Sequence, residues 1–232
     1  MSDRKFTVCV LLYGNYPDLA RRCLEPVFEL CGSGRVDLRI GMNEVSQETR
    51  DYVADSAPSE AEIISADPQI LKYPMMRRLF YDKPVSTDYV MWFDDDSYVK
   101  ADNLSDWLDS VEKAMSSCDM LGSVYTIGYT PSQKQWCVKQ PWYTGKTIPD
   151  RPQFATGGWW CIKTQVLNTF GWPIPELQHC GRDVALGVLL HQHGLRLKHF
   201  REGVAINANS EGKESAAERR GASKTAKPIG RL

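Results

Sequence analysis

The feature that most limits how this chain can fold is an alternation between residues 6 and 93. Short apolar, β-branched runs, FTVCVLL (6–12), VDLRIGM (36–42), AEIISA (61–66) and DYVMWF (88–93), are separated by segments with apolar residues at helical spacing. Those segments are PDLARRCLEPVFELC (17–31), with Leu19, Cys23, Val27 and Leu30 on one face, SQETRDYVADSA (46–57) and ILKYPMMRRLFYDK (70–83). Pro17 suits a first helical turn and Ser46 an N-cap, whereas Pro26 is expected to bend or divide its segment. Such alternation builds an α/β fold, a mostly parallel central sheet flanked by helices on both faces. Ligands of such sheets bind beyond the carboxyl ends of the strands. The tight turn after residue 12, Asp67 and the triplet Asp94, Asp95, Asp96 all fall on that edge.

The pattern continues with a helix over 106–115 and a strand over 120–128. A loop rich in Trp, Pro and Lys covers 129–152, long enough to be functional. FATGGWWCI (154–162), a short helix, the apolar helix GRDVALGVLLHQHG (181–194) and a closing strand LRLKHF (195–200) follow. One domain over 1–210 and a basic tail over 211–232 account for the chain. Its 232 residues, 42% hydrophobic and 25% charged, can bury one sizeable core. The net charge of −1 hides an asymmetry: residues 219–232 hold five bases and no acid, so the rest carries −6. A cationic end of this kind suits a polyanion. The seven cysteines form no CxxC pair and read as free thiols of a reducing cytoplasm. No run is long enough to span a bilayer, and the N-terminal apolar run alternates like a strand rather than a signal peptide.

Three carboxylates in sequence at the end of a buried strand repel one another and are costly without a positive partner. The economical partner is a divalent cation, Mg²⁺ or Mn²⁺, whose hard charge suits carboxylate oxygens and which commonly keeps a phosphate-bearing ligand. An exposed acidic turn capping the next helix is the bland alternative, and it would fit Asp96 or Asp102 alone. Metal-dependent phosphoryl transfer is a further alternative, but YGNY (13–16) offers no glycine-rich phosphate cradle.

YVMWFDDDSYV (89–99) resembles the metal-binding aspartate motif of glycosyltransferases with the GT-A fold, in the form carried by fringe-type β-1,3-glycosyltransferases. FATGGWWCI is similar to a second motif of that group, FATGGAGxCI, with Trp159 and Trp160 replacing small residues. GRDVALGVLL (181–190) is similar to its third, and to the ED-x-x-L segment of family 2 glycosyltransferases. The three occur in the family's order. The resemblance implies a single GT-A, Rossmann-like domain and an inverting transfer of a sugar from a nucleotide sugar, a UDP-sugar, with Mn²⁺ or Mg²⁺. It implies that Asp94 and Asp96 contact the ribose and the metal, with the share of Asp95 left open. Asp183 matches the acid that deprotonates the acceptor, and His199 the histidine completing metal coordination. Leu12, Tyr13, Asn15 and Asp67 lie where the family holds base and ribose. Lys72, Arg77 and Arg78 are candidates for the diphosphate, and Gly157, Gly158, Trp159 and Trp160 for the acceptor. Arg182 stands where a second acid is usual and would suit a negatively charged acceptor.

The chemistry asks for the same groups. Expelling a nucleoside diphosphate from an anomeric carbon builds negative charge on phosphate, which a metal and a cation stabilise. The attacking hydroxyl loses a proton, so a carboxylate is needed opposite, and Asp183 at a helix start stays ionised. For the acceptor, the cationic tail and the aromatic, Lys-bearing loop (Trp136, Trp142, Tyr143, Lys134, Lys139, Lys146) fit DNA carrying hydroxymethylated pyrimidines, in a phage-encoded enzyme of the host cytoplasm. A polysaccharide, a lipid-linked sugar, a protein hydroxyl, or a non-catalytic nucleotide-sugar-binding module are the alternatives.

Overall fold

The computed structural model describes residues 4–177 and 182–208. The chain runs β1 (Phe6–Gly14), α1 (Pro17–Cys31), β2 (Val36–Val45), α2 (Gln47–Ser56), β3 (Glu62–Ala66), α3 (Lys72–Tyr81), β4 (Tyr89–Asp94), β5 (Tyr98–Val99) and α4 (Leu104–Met115). It continues as β6 (Met120–Thr126), α5 (Pro131–Val138), β7 (Gln153–Lys163), α6 (Thr164–Phe170), α7 (Arg182–Gln192), β8 (Leu197–His199) and β9 (Val204–Ala205). Seven strands form one sheet in the order β3-β2-β1-β4-β7-β6-β8, and β5 pairs with β9 in a short ribbon. Pairing is parallel except at β7, which runs antiparallel to both β4 and β6. The expected mostly parallel α/β sheet is therefore present, with one strand reversed.

Both faces of the sheet are covered, which is why its strands read as unbroken apolar runs. Val8, Val10 and Leu12 of β1 point into a core shared with α1 and α4, where Cys23, Leu24, Val27, Trp107 and Leu108 are buried. Cys9 and Leu11 face the opposite core, built from α3, α6 and α7 through Met75, Leu79, Leu167 and Leu189. α1 runs unbroken through Pro26, because the burial of Ala20, Cys23, Leu24, Val27 and Leu30 along one stripe outweighs a single missing N–H.

FATGGWWCI lies within β7 and sends its two tryptophans to opposite cores. Trp160 stacks on Trp92 of β4 at 6.0 Å between centroids and 15° between planes, with Phe80 of α3 edge-on to both. Trp159 packs among Phe93, Trp107 and Phe200. Each aromatic pair adds about 0.5–1.5 kcal/mol beyond its buried area. α7 crosses β7 so closely that a Cβ on Gly187 would lie 2.1 Å from the carbonyl oxygen of Gln153. The loop expected over 129–152 contains α5, which begins with a capping box between Thr130 and Gln133. Trp142 is buried and Trp136 and Tyr143 pack on the core, so this aromatic segment is largely wall. Lys134 pairs with Asp150, and Lys146 donates to the carbonyl of His191.

The six described cysteines are buried thiols, none of them in a disulfide, and Cys180 lies outside the described residues. Among the described residues no helix is long and apolar enough to cross a membrane. The basic tail lies outside the described residues.

Candidate active site

The carboxyl edge of the sheet is set by the register of its two central strands. Leu11 of β1 pairs with Asp94 of β4, and the Asp95 N–H donates back to the Leu11 carbonyl at 3.1 Å. The acids therefore emerge at the point where the strand leaves its neighbour. Asp95 is 1% and Asp96 9% exposed, so two of the three acids are buried, with Asp94 partly exposed beside them. The Ser97 hydroxyl lies 3.4 Å from Asp96 Oδ1, and the Asp96 carbonyl accepts the N–H of Ala208 at 2.7 Å.

Asp94 is held from two sides. Its Oδ1 accepts the indole N–H of Trp92 at 2.9 Å, and its Oδ2 accepts from the Lys72 ammonium at 2.7 Å. Lys72 also donates to the Gly157 carbonyl at 3.0 Å, joining β4 to the reversed strand β7. Burial on its own would depress the Lys72 ammonium. The charges of Asp94, Asp183 and Asp96 outweigh that and leave its pKa above the ordinary lysine value.

Asp183 stands in the first turn of α7, and its Oδ1 accepts the Tyr73 hydroxyl at 3.0 Å. The backbone of Gly157 lies against the same carboxylate: a Cβ there would sit 2.6 Å from Oδ2. Gly158 is equally constrained on the other side, where a Cβ would meet the Asn207 and Ser97 side chains at 2.3 and 2.6 Å. Both glycines are thus required by close approach, as their expected place beside the site implies.

A short buried polar link brings Lys72 to this edge. The Asn43 side chain accepts the Ile70 N–H at 2.9 Å and donates to the Ile70 carbonyl, fastening the segment before α3 to the end of β2. Asn43 and Tyr73 are the residues that sequence reasoning missed. A buried polar side chain ending an apolar strand was a signal for the first, whereas nothing in the sequence pairs Tyr73 with a residue 110 positions away.

The other expected site residues divide. Tyr13 lies at the aspartates: burial first, and then the charges of Asp95, Asp94 and Asp96, push its phenol far above the ordinary tyrosine range. Asn15 is exposed at the same turn, whereas the Leu12 side chain is core. Asp67 is exposed and paired with Arg50 at 3.2 Å; it does not cap a helix, since α3 begins only at Lys72. Arg77 turns away from the acids, donating to the Gly171 and Pro173 carbonyls and lying over the Tyr81 ring. Arg78 pairs with Asp82 and the Ser65 carbonyl. Trp159 and Trp160 are 0% and 2% exposed, so neither offers a ring to an acceptor. His199 lies on the edge strand, two strands beyond β7's pairing with β4, and its Nδ1 accepts the Val124 N–H at 3.1 Å. Arg182 opens α7, but its side chain lies outside what the structure describes.

Among the described residues, no three His, Cys, Asp or Glu side chains converge tightly enough to hold a metal ion unaided. The donor chemistry nevertheless fits a hard cation in kind, because carboxylate oxygens crowd one strand end in a negative field. Oxygens of a bound phosphate would supply the remaining positions.

Strand order, reversed β7 and acids at the carboxyl edge together make a GT-A-like fold. The chain is similar to the mannosyltransferase PcManGT from Pyrobaculum calidifontis, solved in complex with GDP-Man and Mn²⁺, with a TM-score of 0.57 and 14% identity over 85% of this chain and 55% of that one. It is similar also to TarS of S. aureus, with a TM-score of 0.52 and 14% identity over 85% of this chain and 35% of TarS. The chain thus spans about half the length of the first and a third of the second. No protein-family model and no curated protein sequence matches it.

Proposed function

We propose that this protein is a glycosyltransferase that moves a sugar from a nucleotide sugar to an acceptor hydroxyl with inversion at the anomeric carbon. The observation that carries the reading is the run Asp94–Lys72–Gly157–Asp183, an acid, a cation, a carbonyl and a second acid joined across four elements. The mannosyltransferase with GDP-Man and Mn²⁺ bound supports both the nucleotide-sugar donor and the metal. In this reading Tyr13, Asn15 and Asp94 face the nucleoside, and Asp94 and Asp96 hold a divalent cation that supplies charge neutralisation for the diphosphate. Lys72 adds a fixed positive charge beside the leaving group. Asp183 accepts the proton of the attacking hydroxyl as its oxygen bonds to the anomeric carbon. The bond from that carbon to the diphosphate oxygen breaks on the far side, and the electron pair leaves with the nucleotide.

For the acceptor we propose a 5-hydroxymethylpyrimidine in DNA. A cavity of about 420 Å³ on the same edge supports a flat ring beside an anion: it is lined by the exposed Tyr125 and Ile127, by Phe154 and Thr156, and by Arg201 and Asn207. The basic run at 219–232 supports a polyanionic partner.

A thermal-shift panel of UDP- and GDP-sugars, with and without Mn²⁺, tests the donor. A donor at about 100 times its Kd adds about 2.7 kcal/mol to folding stability, and D94N and D96N should abolish that gain. A panel without a single stabilising nucleotide sugar would refute the transferase reading. Transfer to hydroxymethylcytosine and hydroxymethyluracil duplexes over a salt series tests the acceptor; silence on both at low salt removes DNA and leaves the donor chemistry standing.

A further inference from the structure

The first two residues of α3 each grip one of the two acids on which the proposed transfer depends. Lys72 takes Asp94, and Tyr73, its neighbour, takes Asp183. Tyr73 is 2% exposed, and its ring meets Trp172 edge-on at 6.4 Å, so the hydroxyl is aimed by packing. On the other side of the carboxylate, the missing side chain of Gly157 leaves clearance at Oδ2. The Gly157 peptide is itself fixed by Lys72. The carboxylate of Asp183 is therefore confined between a donor on Oδ1 and a bare backbone at Oδ2.

We propose that Tyr73 is a positioning residue for proton transfer: by occupying Oδ1 it fixes the Asp183 rotamer, so that Oδ2 alone receives the acceptor's proton. The proposal rests on the reading of Asp183 as the base. In the step, the acceptor O–H bond breaks, its proton goes to Oδ2, and its oxygen forms the new bond to the anomeric carbon. The displaced pair leaves on the diphosphate. Tyr73 keeps its own proton throughout and stabilises the carboxylate until it is protonated. Of the described groups facing this carboxylate, Lys72 and Tyr73 come from α3, and β7 contributes only the Gly157 backbone.

The test is Tyr73→Phe in the full chain, which retains the ring and its packing. The expected result is a fall in kcat of about tenfold or more with both KM values within about twofold of the parent, since a base off its line costs the transition state and not binding. Gly157→Ala, which crowds the same carboxylate from the other side, should lower kcat likewise while donor-induced thermal stabilisation persists. Independently of turnover, a crystal structure of Y73F should show the Asp183 carboxylate turned out of the rotamer that lays Oδ2 against the Gly157 backbone. Unchanged kcat in Y73F with an active parent would overturn the positioning role alone. An unmoved Asp183 carboxylate in that structure would overturn the contact as what fixes the rotamer. A parent that transfers sugar from no donor would instead sink the transferase reading, and the catalytic meaning of the contact with it.

Discussion

Two residues apart on the same strand, Trp92 donates its indole N–H to Asp94 at 2.9 Å while its ring face stacks on Trp160. Ordinarily a strand sends residues i and i+2 to one face without their side chains meeting. Here the large indole reaches forward along the strand, so the aromatic core fixes the orientation of a rim acid.

This contact gives the first prediction. Trp92→Phe keeps most of the stacking but removes a donor to a carboxylate, a bond worth about 1.5–3 kcal/mol. The variant should fold, lose about 2 kcal/mol in urea unfolding, and bind nucleotide sugar about tenfold more weakly. Calorimetric titration of the donor into both proteins checks it.

Lys72→Met should be harsher. It removes the ammonium from Asp94 and leaves a carboxylate with 20% exposure facing Asp183 without its screen. Breaking a buried pair from one side costs about 3–5 kcal/mol, and Asp94's partial exposure places the expected loss near the lower end. Lys72→Arg should restore stability but not turnover, because the guanidinium cannot reproduce the point contact with both Asp94 and the Gly157 carbonyl. Denaturant melts read against transfer rates separate the two effects.

Stability toward acid should depend on Asp119, at the opposite edge of the sheet. Its carboxylate takes Lys163 at 2.8 Å and the backbone N–H of Arg196 at 2.8 Å, tying β7 and the start of β8 to β6. Burial would raise its pKa, but the Arg196 N–H and the Lys163 charge outweigh this and hold it below the usual value of 3.8. A carboxyl depressed in the folded state stabilises above its unfolded pKa and loses that contribution as pH falls through the folded one. Asp119→Ala should therefore cost about 2 kcal/mol at pH 7, and its melting curve should converge on the parent's as pH drops below about 4.

Gly187→Ala should uncouple α7 from the sheet. The added methyl would meet the Gln153 carbonyl at 2.1 Å, a backbone atom that cannot rotate aside. A loss of about 2–3 kcal/mol is expected. Because α7 carries Asp183, activity should fall further than the stability loss alone would produce; thermal melts beside transfer assays at low temperature show the difference.

Much of this architecture was legible beforehand because β-branched runs and helical spacing are local signals. β1, β3, β4 and α3 lie within a few residues of their expected bounds. The acids at the end of β4 were legible too, since charge abutting a core strand is rarely decorative. What misled was double burial. In a sheet covered on both faces, alternation no longer marks an outside, so Trp159 and Trp160 read like a platform although both are core. Arg77 failed for another reason: a helix places about 3.6 residues per turn around its axis, so Arg77, five after Lys72, lies about 140° round from it and turns toward Gly171 instead of the acids. α5 carried a signal that went unused, the capping box beginning at Thr130. The reversal of β7 left no local trace, because direction within a sheet is decided by the length and path of connections.

That reversal has an outcome for how such a protein can change. A strand running backward through an otherwise unidirectional wall is entered from the edge at which the acids emerge, so the stretch between Ile127 and Pro152 leaves and re-enters the sheet at that one edge, while its Thr144 and Lys146 are tied to the far end of α7 at Gln192 and His191. Lengthening, shortening or exchanging the turn that begins at Ile127 reshapes the rim of the candidate cavity while the masonry of parallel strands keeps its courses. New preferences can therefore be written into one contiguous piece of chain.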